Sequence, residues 1–399
     1  MGQVKMKVFA AEAGDSFLIS FNDEGKKNIL IDMGFRSTYN KQIKKELVAL
    51  NSRGESIDLL VFTHIDQDHI NGGIALLEEN GLANNPNIVS IKEIWFNTNR
   101  HLNFTEKKSI DEATLEKLIK TAKEFPKPRM RENYTGEIGF AQGNTLSKLI
   151  CCNLYNWNTL FDGNAVVAPN KIDIGLNTRI YILSPTLDKL EDLSNDWKTY
   201  LIKKGLPSVN HELCDHLFEM YIEGHLDQVK SNYYGRQCGF EKIDFKALAE
   251  HTFEEDVSIT NGSSIAFILE HYDTMLLFLG DAYPSVALKG LENHFKDIQP
   301  HFKLVKVSHH GSKYSTSCDL LSRFSADKFL ISTNGNSHKH PDVETIARII
   351  ETKQVEKKEI IFNYKPSFYE VLDQQKACST RYVNLYGQCK IEDIIIDDH

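Results

Sequence analysis

Four side chains that can bind a metal ion fall within one short segment, at His64, Asp66, Asp68 and His69. They follow an apolar run at residues 57–63, which predicts a buried strand. A strand end that leads into a tight loop can direct several side chains to one point. His64 and Asp66, two residues apart, can face the same side, whereas Asp68 and His69 lie at the turn into the next helix. One such loop can therefore serve two metal ions.

This segment resembles the HxHxDH signature of the metallo-β-lactamase fold, with Asp66 in place of the second histidine. Supporting segments follow in the order of that fold: GDS at 14–16, IDMG at 31–34, FLGD at 278–281, SHHGSKYSTS at 308–317 and HKHP at 338–341. The combination is most similar to the metallo-β-lactamase domain of ComEC-type competence proteins, which share the HxDxDH variant and the HHGSKxSxS stretch. The resemblance covers residues 4–98, 172–185 and 258–365.

The resemblance implies two metal sites that share one carboxylate. The first ion would be held by His64 and Asp66, the second by Asp68, His69 and His340, with Asp281 as the bridge. The usual fold has a further histidine for the first ion, upstream of the bridging aspartate, but residues 260–264 read TNGSS. An oxygen-rich first site favours Mn²⁺, with Zn²⁺ second. One-metal and two-metal enzymes both remain open.

The candidate catalytic residues are Asp68, His309 and His310. One of the two neighbouring histidines would act at the substrate, as a proton donor or as a contact to a phosphoryl oxygen. Such a group contributes about 10²–10⁴ in rate. The alternative is a buried histidine that only supports the site, and the sequence does not decide between the two.

Four nearby residues carry two interpretations each. Asp15 and Asp32 lie in turns that the resemblance places near the site. Each could orient a ligand histidine, or could simply form its turn. Ser312 and Lys313 could bind an anion at the start of the next helix, or could form a solvated turn.

The elements that must position these residues indicate an α/β core with two large insertions, and the resemblance implies a metallo-β-lactamase-like αββα sandwich. Strands are predicted at both ends of the chain, and a further strand at 172–185. A helix at 343–352 is predicted to have Pro341 near its first position. We expect a single domain over residues 1–399, with insertions at about 100–170 and 186–255 that could cap the site.

Two features of the insertions need separate interpretation. Basic residues at 117, 120, 123, 127, 129 and 131 could line a groove for a phosphate backbone, or could form a solvated helix face. The HELCDH stretch at 211–216 resembles HExxH, but its histidines are five residues apart and do not share one helix face.

The composition narrows the class of protein. A net charge of −9 and 41% apolar residues are typical of a globular chain and exclude disordered and collagen-like ones. Seven cysteines, an odd number with no CxxC pair, fit reduced thiols in the cytoplasm. No apolar run reaches the length of a membrane span, and the N-terminus has no secretory signal.

The resemblance to ComEC-type domains implies a metal-dependent hydrolase with one or two divalent ions. The first hypothesis is a phosphodiesterase or nuclease that cleaves single-stranded nucleic acid or nucleotides through a metal-activated water. The alternative is a hydrolase of a small thioester, lactone or cyclic nucleotide, and a second alternative is a non-catalytic sensor or binding subunit. DNA uptake is not expected of this chain, because ComEC-type proteins carry the domain on a membrane channel and no membrane span is predicted here. Partners from a defence or nucleic-acid-processing system would suit a separate enzyme.

Overall fold

The computed structural model describes residues 3–102, 135–203, 243–352, 358–375, 380–384 and 393–396. In the first half the strands are β1 (Val4–Val8), β2 (Phe17–Asn22), β3 (Lys26–Ile31), β4 (Leu59–Val61), β5 (Ile94–Trp95), β6 (Asn170–Asp173) and β7 (Thr178–Ser184). The helices are α1 (Arg36–Thr38), α2 (Lys44–Ser52), α3 (Gln67–Asn80), α4 (Asn99–Leu102), α5 (Thr135–Cys152) and α6 (Leu187–Lys203). A π-helical turn at Tyr39–Ile43 joins α1 to α2, and a 3₁₀ turn lies at Thr159–Phe161.

The second half repeats this mixture of strands and helices. Its strands are β8 (Ala266–His271), β9 (Thr274–Phe278), β10 (His301–Phe302), β11 (Leu304–Lys306), β12 (Ser325–Ala326), β13 (Lys328–Ile331), β14 (Glu359–Phe362), β15 (Arg381–Asn384) and β16 (Asp393–Ile396). Its helices are α7 (Phe245–Ala249), α8 (Ile259–Gly262), α9 (Pro284–His294), α10 (Cys318–Ser322), α11 (Val343–Glu351) and α12 (Tyr369–Gln375). The SHHG segment Ser308–Gly311 forms a 3₁₀ turn.

Two large mixed sheets pack face to face. The first has the strand order β16-β1-β2-β3-β4-β5 and the second β15-β14-β13-β11-β9-β8-β7-β6. Alternation along each strand divides the side chains between faces. Phe17 and Ile19 enter the core between the sheets, whereas Leu18 faces the helices on the outer side. The short strands β10 and β12 pair separately.

Helices cover the outer face of each sheet, which completes the predicted αββα sandwich and confirms the α/β class. The first helical layer includes α3, α5 and α6, and the second includes α9, α10 and α11. The described parts of the two predicted insertions thus belong to the main body: Ile150 of α5 and Trp197 of α6 are buried in the same core as Ile74 of α3. That they cap the site stays a prediction, and residues 103–134 and 204–242 lie outside the described residues.

The structure corrects two local predictions. The strand predicted at 172–185 is a hairpin, in which β6 and β7 pair antiparallel across a turn at residues 174–177. Pro341 does not open α11, because Asp342 is the N-cap and the helix begins at Val343. The basic residues at 117–131 and the HELCDH stretch at 211–216 lie outside the described residues, so both interpretations stay open.

None of the helices in the described part of the chain combines the length and the apolar character that crossing a membrane requires.

Candidate metal centre

The sandwich brings the predicted site residues to one end of its two sheets. β3 runs parallel to β4, and β9 runs parallel to β11, with Ile31 opposite Val61 and Phe278 opposite Lys306. The loops that leave these strands therefore share one edge of each sheet. The two edges are joined where the Ile265 amide donates to the Thr63 carbonyl at 2.8 Å. Side chains that are far apart in sequence meet here.

Four imidazoles converge on one oxygen of Asp281. From Asp281 Oδ2, the Nε2 atom of His69 lies at 3.6 Å, that of His310 at 3.6 Å, that of His64 at 3.8 Å and that of His309 at 4.0 Å. Among the described residues, the Nε2 atoms of His64, His69 and His310 are buried without a hydrogen-bond partner. Buried polar atoms are costly when unsatisfied, so this convergence fits a bound cation.

The opposite ring nitrogens fix the orientation of these imidazoles. His69 Nδ1 donates to Asp32 Oδ2 at 2.8 Å, and His310 Nδ1 donates to the Ser332 carbonyl at 2.8 Å. His64 Nδ1 lies 3.0 Å from Thr63 Oγ1, whose own hydrogen is donated to Asp32. A ring that donates through Nδ1 presents the lone pair of Nε2, which is the tautomer a metal requires. The orienting role proposed for Asp32 fits this geometry.

In the described part of the chain, the ligand atoms form three groups that share His69. One joins His69 to Asp15 and Asp32, and the other two contain further residues of the metal loop at residues 64–69. In the first of these two, ligand atoms of His64, His69 and Asp281 lie within 4.8 Å of one another, and in the second those of Asp68, His69 and His310 do so. Asp66 Oδ2 adds to the first, 3.6 Å from His64 Nε2. These two groups contain His64 and Asp281 of the first predicted ion position and Asp68 and His69 of the second, and the assignment of ligands to ions stays a prediction.

The role of His340 as a ligand of the second ion stays a prediction. Among the described residues, the group of Asp68 and His69 contains His310 in its place. The His340 ring lies beside that of His309, with 5.2 Å between the ring centres. Its Nδ1 atom is 3.3 Å from Asp342 Oδ2. The geometry favours His310 over His340 as the ligand.

A buried lysine beneath the site was not predicted. Lys306 Nζ contacts the Asp15 carboxylate, donates to the Gly280 carbonyl at 2.9 Å and lies 3.7 Å from Asp281 Oδ1. The only sequence signal is one charged residue inside the apolar strand that precedes His309. Lys306 compensates the carboxylates from within the protein.

Burial and charge act in opposite directions on these groups. Burial would raise the pKa of Asp281, but His310 and His69 outweigh it and hold that pKa well below its usual range. Burial opposes protonation of His310, but Asp281 and Asp15 outweigh this effect and raise its pKa to about 10. The pKa of His69 is raised in the same way, against burial, first by Asp281 and then by Asp32. Without a metal ion, Asp281 is ionised and the imidazoles of His310 and His69 hold protons.

The SHHG turn has an uncommon backbone conformation. His309 (φ 45°) and His310 (φ 54°) are both left-handed, and Gly311 follows at φ 86°. Side chains other than glycine adopt this region at a cost, which folded proteins accept mainly at functional sites. The turn directs both imidazoles towards Asp281.

The anion contact predicted at Ser312 and Lys313 is not favoured by their surroundings. Ser312 is buried and its hydroxyl accepts from the Tyr314 amide at 3.3 Å. Lys313 Nζ is paired with Glu344 at 3.3 Å, and the Lys313 amide donates to Asp342. Both groups are engaged within the protein, as the alternative of a structural turn requires.

The match to a known protein family includes the metal loop. Residues 11–124 match the metallo-beta-lactamase superfamily. No curated protein sequence matches the chain. Solved structures with some likeness include a mutant of the CmlA beta-hydroxylase, at 10% identity and TM-score 0.33, with 96% of this chain and 52% of that chain covered. Another is a long form RNase Z from yeast, at 9% identity and TM-score 0.32, with 83% of this chain and 36% of that chain covered.

The chain thus spans about half of the first of these two structures and about a third of the second. The superfamily match includes the loop from His64 to His69, where the structure places the candidate ligands. With its αββα sandwich and this match, the chain carries a metallo-beta-lactamase superfamily domain.

Proposed function

We propose that this protein is a metal-dependent phosphodiesterase that cleaves single-stranded nucleic acid or nucleotides. The observation that carries the proposal is the convergence of buried, unpartnered Nε2 atoms on Asp281. The first ion would be held by His64, Asp66 and Asp281, and the second by Asp68, His69, His310 and Asp281. A divalent ion bound here would lower the pKa of a water molecule and stabilise negative charge on the substrate.

One side of the centre is formed by buried side chains and the other by side chains that are partly exposed to solvent. The His64 and His69 side chains are fully buried, whereas those of Asp66 and Asp68 are 33% and 26% exposed. Substrate would therefore approach across the two carboxylates. The pKa of Asp68 is lowered, because His69 and His310 outweigh its burial, so it is ionised at neutral pH. Asp68 would accept a hydrogen bond from the attacking water and orient it.

The position of the helical layer beside the metal loop favours a narrow substrate. A Cβ atom built on Gly139 of α5 would lie 3.4 Å from Asp66 Oδ1, so α5 runs directly past the exposed carboxylate. Gly143 of the same helix faces Ile65 and Trp197. A wall so close to Asp66 suits a single strand or a nucleotide better than a duplex.

The choice of phosphodiesters rests on the carboxylate-rich donor set and on the resemblance to ComEC-type domains. Carboxylate and water ligands suit hard ions such as Mn²⁺, with Zn²⁺ second. A small-molecule ester, thioester or lactone hydrolase is the alternative that the same ligands would allow. The third possibility is a non-catalytic sensor or binding subunit, whose empty site would hold no stoichiometric Mn²⁺ or Zn²⁺. Partner proteins and a cytoplasmic location belong to the same proposal.

A substrate panel with matched variants tests this function. Wild-type protein, Asp68→Asn and the exposed turn variant Asp273→Asn are incubated in Mn²⁺, Zn²⁺ or EDTA. The substrates are single-stranded DNA and RNA, duplex DNA, cyclic dinucleotides, a thioester and a lactone. We expect cleavage of single strands in Mn²⁺, lost in EDTA and reduced by at least about 100-fold in Asp68→Asn, with Asp273→Asn unchanged. Full activity in Asp68→Asn contradicts the site, and turnover of the thioester or lactone alone supports the alternative.

A further inference from the structure

The first ion position has one proposed histidine ligand fewer than the second. His64 is the imidazole that the proposed function assigns to it, since residues 260–264 read TNGSS where the resemblance implies a ligand histidine. Residues 260–264 precede Asp281 in the sequence, whereas His309 follows it. The Nε2 atom of His309 lies 4.0 Å from Asp281 Oδ2. That distance is close to the 3.8 Å of His64. We propose that His309 is the missing imidazole ligand of the first ion, and that Asp256 holds it in position.

The orientation of His309 supports a ligand role. Asp256 Oδ2 lies 3.1 Å from His309 Nδ1, so the ring can donate there and present Nε2 towards Asp281. The same arrangement holds His69 against Asp32. A carboxylate behind the distal ring nitrogen is the usual support of a metal-bound histidine. His309 thus has the geometry of its ligand neighbours, with 21% of its side chain exposed.

Asp256 is itself fixed by three hydrogen bonds. Its Oδ2 accepts from Asn261 Nδ2 at 2.6 Å, its Oδ1 accepts from the Ser258 amide at 2.9 Å, and its own amide donates to the Tyr314 carbonyl at 2.9 Å. The last bond ties Asp256 to the loop that follows the SHHG turn. A carboxylate held this firmly restricts the imidazole beside it.

Helix α8 places His309 on the side of the first ion. Thr260 Oγ1 donates to Asp66 Oδ2 at 3.2 Å, and the next residue, Asn261, holds Asp256 and lies 3.3 Å from His309 Nδ1. Asp66 and His309 are therefore supported by one element. His310 belongs to the other side, because its Nε2 is 3.4 Å from Asp68 Oδ2. The stretch that lacks the expected histidine thus positions its replacement.

This inference rests on the proposed metal-dependent function, and ion counting tests it separately from activity. Metal-free wild-type protein is titrated with Mn²⁺ by equilibrium dialysis, and spin coupling between two bound Mn²⁺ ions is followed by electron paramagnetic resonance. The variants are His309→Asn, whose asparagine tolerates the left-handed backbone, and Asp256→Asn. The controls are His301→Asn and Asp327→Asn, which alter an exposed pair with the same 3.1 Å distance at the far end of β11.

We expect two coupled Mn²⁺ ions per chain in the wild type and one uncoupled ion in His309→Asn. Asp256→Asn should bind the first ion about 10–100-fold more weakly, as loss of a supporting carboxylate usually does, and the controls should match the wild type. If His309→Asn binds two coupled ions with wild-type affinity, the inference is wrong, and a loss of cleavage in that variant would make His309 a proton donor. Loss of both ions in His309→Asn, or one ion in the wild type, also overturns it. A wild type that binds no ion contradicts the proposed function as well.

Discussion

Lys306 offers the sharpest test of how the site is held together. Its side chain is 1% exposed, and it contacts Asp15, Gly280 and Asp281. Lys306→Met keeps most of the length of the side chain and removes the charge. The variant then leaves Asp15 buried without the ammonium that contacts it.

The expected loss of stability follows from these contacts. At 3.7 Å from Asp281, the ammonium interacts with that carboxylate alone by about 4 kcal/mol at an effective dielectric constant of about 20. Burying the lysine offsets much of this attraction. Removing one partner of a buried pair nevertheless costs about 3–5 kcal/mol, because the other charge stays in place. We expect Lys306→Met to lower the free energy of unfolding at pH 7 by that amount.

The loss of stability in Lys306→Met should depend on pH in a direction that the pKa of Asp15 predicts. In the wild type, burial would raise the pKa of Asp15, but Lys306 and His310 lower it to about 2. That contribution to stability is present above the ordinary pKa of 3.8 and is lost as the pH falls through about 2. Without Lys306 the folded-state pKa rises, and protonation of Asp15 relieves the penalty. The difference between variant and wild type should therefore be smaller at pH 4 than at pH 7.

Urea denaturation in EDTA measures these differences without a contribution from metal. The control is Lys92→Met, because Lys92 forms a 2.7 Å pair with Asp58 but is 56% exposed, and such pairs are worth about 0–1 kcal/mol. The double variant Asp15→Asn/Lys306→Met should be more stable than Lys306→Met, since no unpaired charge then stays buried at position 15. A loss in Lys306→Met no larger than that in Lys92→Met, or a double variant as unstable as the sum of the singles, would refute the reasoning.

The remaining predictions concern proton release and the space around the metal loop. Because the pKa of His310 is raised to about 10 and that of His69 is also raised, Mn²⁺ binding at pH 7 should release about two protons. Calorimetric titration in buffers with different heats of ionisation measures this release, and a binding heat independent of the buffer would contradict it. Gly14→Ala would place a Cβ atom 1.8 Å from the Asp68 carbonyl oxygen, so we expect weaker Mn²⁺ binding and a stability loss of about 1–3 kcal/mol. Gly139→Ala is the control, because its Cβ atom would meet Asp66 at an ordinary 3.4 Å, and unchanged Mn²⁺ affinity in Gly14→Ala would count against this packing.

The parts of the fold and site that sequence could predict are those with local signals. Strand β4 and the metal loop were predicted because an apolar run leads directly into His64, Asp66 and the residues after them. The sequence pattern also predicts helices in the insertions. In α6, Leu190, Leu193, Trp197 and Tyr200 recur at helical spacing, and all four are buried in the first helical layer. That stripe indicates a helix packed on the main body.

The choice between His310 and His340 could not be made in the same way. The two histidines follow β11 and β13, which are parallel neighbours, so both loops leave the same edge of the sheet. Order along the chain does not say which loop turns inward. The left-handed conformation of the SHHG turn and the bond from His310 to Ser332 favour His310, and both are properties of tertiary packing. Lys306 escaped prediction because its partner Asp15 is remote in sequence.

The charge of the site explains how an acidic chain could act on an acidic substrate. The chain has a net charge of −9, which alone would repel a phosphate backbone. Around Asp281, the ionised carboxylates of Asp15, Asp68 and Asp281 are compensated in the metal-free protein by Lys306 and by the protons on His69 and His310. Divalent ions that displace those protons would become the largest local positive charges. Attraction for a phosphodiester would then arise only in the loaded protein, so binding of single-stranded DNA by catalytically inactive protein should require metal even where no bond is cleaved.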